Sequence, residues 1–250
     1  MQRMLHCLSR VVKAFSQAAT LFPWTGETSK LASEGLGTAR PYIVIWLQLA
    51  DMFTDIPIYP LLLAVVSGYL LGSIPVAALV SWRRNVDIFS RGSRLAGAGN
   101  VFYEVGHLPG IIVFSGDFAK GLVAITVAYS LGVEGNLILL PALAAIAGHW
   151  MPVFARFRGG DGLSPLIGIT VAMLSTLGIL AVVTGGLVAM IARGTGHHPT
   201  LWGGTAGYGF LLVRSPAAEN SALVIAVVLL AIIVLVRSVI GHRRRGTESI

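Results

Sequence analysis

One cysteine, Cys7, in 250 residues leaves no partner for an internal disulfide, and no set of Cys and His residues has the spacing of a zinc or iron–sulfur site. Redox and structural-metal roles drop out. Charge is scarce as well: Asp, Glu, Lys and Arg make up 12% of the chain, against about 25% in ordinary soluble domains. A soluble enzyme is therefore not expected. The motifs H-E-x-x-H, the P-loop, the G-x-S-x-G elbow and the dinucleotide fingerprint are all missing.

What is present is apolar and glycine-rich, with 55% hydrophobic residues, 30 glycines and a mean hydropathy of +0.79. Long apolar stretches run over residues 58–81, 109–133, 135–155, 163–192, 199–213 and 221–240, and several reach the roughly 20 residues that a membrane-spanning helix needs. Stretch 163–192 holds no charged residue and is either one long tilted helix or two short ones meeting near Ser175, Thr176 and Gly178. Sidedness favours two. Arg83, Arg84, Arg91, Arg94, Arg156, Arg158, Arg193, Arg243, Arg244 and Arg245 follow alternate stretches, whereas the complementary loops hold only Arg214. Positive charge marks the cytoplasmic side, and Arg193 joins the other arginines there only if 163–192 crosses twice. The expected fold is an all-α integral membrane protein with about seven transmembrane helices and glycine-rich cytoplasmic loops.

The net charge of +7 and pI near 10.1 then report cytoplasmic loops and contact with anionic headgroups. No nucleic-acid partner is expected, because the basic residues are spread over loop ends and not interleaved with aromatics. Three parts are expected: residues 1–51 as an N-terminal extension, 52–242 as the polytopic domain and 243–250 as a basic cytoplasmic tail. Three readings of 1–51 stand side by side: an amphipathic surface helix, a targeting segment, or sequence preceding a true start at Met52.

Three features carry chemistry. The first is Gly92-Ser93-Arg94-Leu95-Ala96-Gly97-Ala98-Gly99-Asn100, preceded by Gly72-Ser73-Ile74-Pro75. It is either a flexible turn or a loop whose backbone N–H groups converge on a phosphate beside arginine. The second is Asp117 and Lys120, three residues apart on one helix face inside an apolar stretch. Charges at that depth form either a functional site or a structural ion pair. The third is Gly148-His149 followed by Phe157-Arg158-Gly159-Gly160-Asp161-Gly162, an anion cradle at a helix N-terminus that the carboxylate of Asp161 would oppose. His149 alone reads as a packed histidine as readily as a catalyst.

In collinear order from about Tyr69 to Arg193, these segments resemble the bacterial membrane acyl-phosphate:glycerol-3-phosphate acyltransferases, the PlsY family. The resemblance rests on Gly72–Pro75, the Gly-Ser-x-x-x-Gly-Ala-x-Asn frame at 92–100, Gly106, Asp117-x-x-Lys120-Gly121, Gly148-His149, Phe157-Arg158-Gly159-Gly160-x-Gly162, and Arg193 in the place of a third motif. The His-x4-Asp signature of soluble-type glycerolipid acyltransferases is absent.

The resemblance implies transfer of an acyl group from acyl phosphate to the 1-hydroxyl of glycerol 3-phosphate, giving lysophosphatidic acid in phospholipid biosynthesis at the bacterial inner membrane. No cofactor or metal is implied. Ser93, Lys120 and His149 would be catalytic. Arg94, Gly97, Asn100, Asp117, Arg158, Gly159, Gly160, Gly162 and Arg193 would bind the two substrates. The chain departs from the family at Arg94-Leu95 for Gly-Asn, Gly99 for Thr, Tyr103 for an arginine, Asp161 for a lysine, Ser164-Pro165 for Ala-Thr, and Gly196 for a serine. Two expected phosphate-binding cations are thus missing, each worth about 1.5–3 kcal/mol as a charge-assisted bond. Readings of other classes follow from that: a different acceptor, with Asp161 contacting a hydroxyl or amine; a non-catalytic lipid- or partner-binding scaffold; or an unrelated transporter.

Overall fold

The computed structural model describes residues 58–194, 199–215 and 221–246, with side chains to residue 240. The expectations for residues 1–51 lie outside the described residues, whereas Arg243, Arg244 and Arg245 are described by their backbone alone. Among the described residues eight α-helices follow one another: α1 (Ile58–Gly72), α2 (Val76–Trp82), α3 (Ala98–Glu104), α4 (His107–Ser130), α5 (Leu139–Trp150), α6 (Leu163–Gly194), α7 (Pro199–Arg214) and α8 (Ser221–Gly246). Short 3-10 turns at Gly135–Ile138 and Val153–Ala155 flank α5. No strand occurs among the described residues.

Among the described residues five segments are long and apolar enough to cross a bilayer: Ile58–Trp82, His107–Ser130, Gly135–Ala155, Leu163–Gly194 and Ser221–Ile240. Their outward faces carry large apolar side chains such as Ile111, Leu229, Ile232 and Ile233, each about half exposed or more. Surfaces of this kind associate in water and are at home in lipid.

Helix α6 is not one rod. Ser175 has φ 44° and ψ −117°, outside helical values. Beyond it the chain folds back, because a Cβ on Gly178 would run into the carbonyl oxygen of Thr170 and lie 3.0 Å from Val171 Cα. In a straight helix residues 170 and 178 stand about 12 Å apart along the axis. Residues 163–192 are accordingly two helical segments meeting at Ser175, as the arginine distribution requires.

Small residues set the helix spacing. On α1 and α5, Gly72 abuts the Ala145 carbonyl and Gly148 abuts the Tyr69 carbonyl; on α4 and α6, Gly121 abuts Pro165 and Gly168 abuts Phe118. Without a hydrophobic drive between helices in lipid, such close backbone approach is the main source of attraction. It brings the C-terminal ends of α1 and α5, the middle of α4 and the start of α6 together where the three chemical features of the sequence lie.

Candidate active site

The site begins with a helix break. Pro75 has no N–H and restricts the residue before it, so the helix stops at Gly72 and restarts at Val76. The Ile74 carbonyl is left to accept from Val76 N at 3.0 Å and from Lys120 Nζ at 3.0 Å. Lys120 Nζ also lies 2.9 Å from Asp117 Oδ1, one turn back on α4. Both side chains are buried, Asp117 at 1% and Lys120 at 6% exposure. The ammonium thus holds one hydrogen bond and one ion pair, and Lys120 lines the neighbouring cavity.

The end of α5 supplies the imidazole. His149 is buried and its Nδ1 stands 3.9 Å from Asp117 Oδ1. Among the described residues neither carboxylate oxygen of Asp117 nor His149 Nε2 has a hydrogen-bond partner, the Lys120 contact being an ion pair, which is unusual for buried polar atoms. The chain returns past this point as the glycine loop: Gly160 N donates to the His149 carbonyl at 3.1 Å, and Ala96 N from the first loop donates to the Gly159 carbonyl at 3.1 Å. A Cβ on Gly160 would strike His149 Nε2 and the Ala96 carbonyl. These glycines therefore serve close approach, and the N–H of Gly160 is engaged by the protein and does not face an anion.

Asp161 has a structural task. Its Oδ1 accepts from Leu163 N at 3.2 Å, capping the start of α6, and its Oδ2 accepts from Ser238 Oγ at 3.4 Å. Its carbonyl accepts from Trp150 Nε1 at 2.9 Å. The helix terminus expected to cradle a phosphate is thus occupied by its own carboxylate. Arg158 is exposed, with its guanidinium 4.3 Å over the Phe89 ring and a long contact of 3.4 Å to the Phe89 carbonyl.

In the first loop Asn100 is an organiser. Its amide donates to the carbonyls of Ile88 at 3.3 Å, Arg91 at 3.0 Å and Leu95 at 3.1 Å, and its oxygen accepts from Ser93 N at 3.1 Å. Ser93 is buried beside it and Arg94 is exposed. Gly97 faces the Asp161 carboxylate, 3.1 Å from the place of a Cβ.

One cavity is lined by Asp117, Lys120, His149, Arg158, Gly159 and Gly160, together with Ile74, Pro75 and Ala96. Six of the sequence-expected residues therefore meet. Ser93, Arg94, Gly97, Asn100, Gly162 and Arg193 do not line it. Gly162 packs against Trp150 with φ +93°, a backbone that suits glycine. Arg193 is exposed, its guanidinium 5.3 Å over the ring of Phe102, which stacks on His107 at 4.4 Å. Among the described residues no three His, Cys, Asp or Glu side chains gather as metal ligands.

Two participants escaped the sequence reading. The Ile74 carbonyl is a backbone group that no residue type announces, although Pro75 marks where a carbonyl is freed. Arg237 of α8 donates from Nε to the Gly160 carbonyl at 3.1 Å and lies 5.1 Å from the Trp150 ring. Its signal was a cation inside a span of mean hydropathy 3.2.

A bundle of apolar helices that buries a Lys–Asp–His cluster against a glycine loop defines an all-helical integral membrane protein with a polar site inside it. The chain belongs to the glycerol-3-phosphate acyltransferase family, which matches residues 62–245. It is 40% identical over 124 residues to glycerol-3-phosphate acyltransferase 4 of Dehalococcoides mccartyi, a match covering 49% of this chain and 53% of that relative. The chain thus spans about half the length of that protein. Against glycerol-3-phosphate acyltransferase of Trichlorobacter lovleyi it is 33% identical over 189 residues, covering 74% of this chain and 94% of the relative. Its fold is similar to the crystal structure of PlsY (YgiH), an integral membrane glycerol 3-phosphate acyltransferase, in the glycerol 3-phosphate form, with a TM-score of 0.62 and 24% identity over 75% of this chain and 92% of that one.

Proposed function

We propose that the protein is a membrane glycerol-3-phosphate acyltransferase that moves an acyl group from acyl phosphate to the 1-hydroxyl of glycerol 3-phosphate. The observation that carries this reading is the convergence of Lys120, His149, Arg158 and the Gly159–Gly160 loop from three separate segments on one cavity. Family membership agrees with it, as do PlsY crystal structures described as glycerol 3-phosphate and lysophosphatidic acid forms.

In the proposed reaction the hydroxyl oxygen attacks the acyl carbon, the carbon–oxygen bond to phosphate breaks, and the hydroxyl proton leaves with the departing phosphate. Acyl phosphate carries its own leaving group, so the protein needs chiefly to position two anions and stabilise developing charge. Lys120, held by Asp117 and the Ile74 carbonyl at the cavity, offsets the charge that develops on the phosphates. Arg158, beside Gly159, contacts the donor phosphate. His149 Nε2 orients the acceptor. Ser93, Gly97 and Asn100 shape the loop that closes the acceptor side, with Arg94 and Arg193 as outer cations and Gly162 setting the turn into α6.

Seven crossings, with the arginine-bearing loops cytoplasmic at a bacterial inner membrane, fit the Ser175 turn. The test is phosphate release from palmitoyl phosphate by the purified protein in detergent, with and without glycerol 3-phosphate. Release that depends on the acceptor is expected. Release that ignores the acceptor, or no release, would overturn the reading.

A further inference from the structure

Near its C-terminal end α8 reaches the loop that borders the cavity. Arg237 is half-buried in an apolar span, a costly place for a cation without partners. It donates from Nε to the Gly160 carbonyl at 3.1 Å and lies over Trp150 at 5.1 Å. The next residue, Ser238, is 2% exposed and donates to Asp161 Oδ2 at 3.4 Å. Trp150 in turn donates to the Asp161 carbonyl at 2.9 Å. The two consecutive loop residues 160 and 161 are thus fastened to two consecutive residues of α8 and to the end of α5.

We propose that Arg237 is a positioning residue for acyl transfer, and that Arg237 and Ser238 together form a latch from α8 that fixes the glycine loop against His149. Neither side chain lines the cavity, and the hydrogen bond by which Arg237 reaches its border is the one to Gly160. That glycine bonds the His149 carbonyl and faces its Nε2, and it has no side chain to hold its own position. A guanidinium suits the task because its planar fork donates along a fixed direction while its face stacks on an aromatic ring. The catalytic part of this inference rests on the acyltransferase reading; the latch itself does not.

The test uses the full-length protein in detergent and the variants Arg237→Met, which keeps bulk over Trp150 but removes the donor, and Ser238→Ala, a milder loss. Hydrogen–deuterium exchange of the 157–163 peptide is read beside kcat and KM for palmitoyl phosphate and glycerol 3-phosphate. Expected are faster exchange in 157–163 with α1 and α4 unchanged, a kcat lower by about a hundredfold in Arg237→Met, the cost of misplacing a reacting group by about 1 Å, and an unaltered KM for glycerol 3-phosphate. Unchanged exchange in both variants overturns the latch. Faster exchange with full kcat overturns the positioning role. No acceptor-dependent release by the wild type overturns the acyltransferase reading and the positioning role with it, and the exchange data then still decide the latch.

Discussion

His149 and Gly160 are in direct contact: the glycine N–H donates to the histidine carbonyl at 3.1 Å, and the imidazole Nε2 occupies the space that a Cβ on residue 160 would need. The second obstacle to that Cβ is the backbone carbonyl of Ala96, so neither neighbour is a flexible chain end. Gly160→Ala should therefore overpack the site, at a cost of about 1–3 kcal/mol, and displace either the imidazole or the loop. A clear fall in the thermal midpoint in detergent, with kcat down by about a hundredfold, is expected. Gly99→Ala is the control. Nothing lies within 4 Å of a Cβ at Gly99, which sits in α3, and alanine there gains up to about 1 kcal/mol of helix propensity. A harmless Gly160→Ala would show that the contact does not constrain the site.

The buried pair Asp117–Lys120 yields a different pattern. Lys120→Met leaves a carboxylate at 1% exposure without its cation, which typically costs about 3–5 kcal/mol. Asp117→Asn leaves Lys120 with the Ile74 carbonyl at 3.0 Å. The double variant should be more stable than Lys120→Met alone, since it removes the stranded charge, while acyl transfer is lost whenever Lys120 is replaced. Thermal midpoints for the four proteins of the cycle give the coupling. Additive effects on stability would mean the pair is not an interacting unit.

Much of this was legible in the residues. The apolar stretches, the alternating arginines and the Ser175–Gly178 region carried the helical membrane fold and the turn within 163–192. Asp117 and Lys120 announced themselves as charges in apolar sequence. What the glycines do was not legible, because Gly160 as a spacer for His149 and Gly160 as an anion-facing N–H have the same one-letter code. The difference lies in what packs against it. Asp161 looked like a charge reversal in a phosphate loop, yet its oxygens cap α6 and meet Ser238, a residue 77 positions away. Arg237 was hidden for the opposite reason: its partner is a backbone carbonyl, which sequence does not mark.

The turn at Ser175 bears on sidedness, which labelling can check. If the two segments of α6 each cross the membrane, Glu134 and Thr176, both exposed, face one side and Arg84 and Arg193 the other. Single cysteines at these four positions in a Cys7→Ser background should react with an impermeant maleimide in two groups: Glu134→Cys and Thr176→Cys in intact cells, Arg84→Cys and Arg193→Cys only after permeabilisation. Labelling of Arg193→Cys in intact cells, with Arg84→Cys protected, would mean that α6 crosses once and that the chain has one span fewer.

Asp161→Lys restores the cation that the family pattern carries, and it should nevertheless impair the protein. The carboxylate accepts from Leu163 N at 3.2 Å and from Ser238 Oγ at 3.4 Å, and an ammonium can accept from neither. Loss of a helix cap costs about 0.5–2 kcal/mol, and a cation beside the positive end of the α6 dipole adds about 0.3–1 kcal/mol. Asp161→Asn retains an oxygen acceptor of nearly equal capping strength and should behave much like the wild type. The expected order of thermal midpoints and of acyl-transfer rates is wild type, then Asp161→Asn close behind, then Asp161→Lys. A faster Asp161→Lys enzyme would instead mean that this position belongs to the phosphate site and that its role as a cap is secondary.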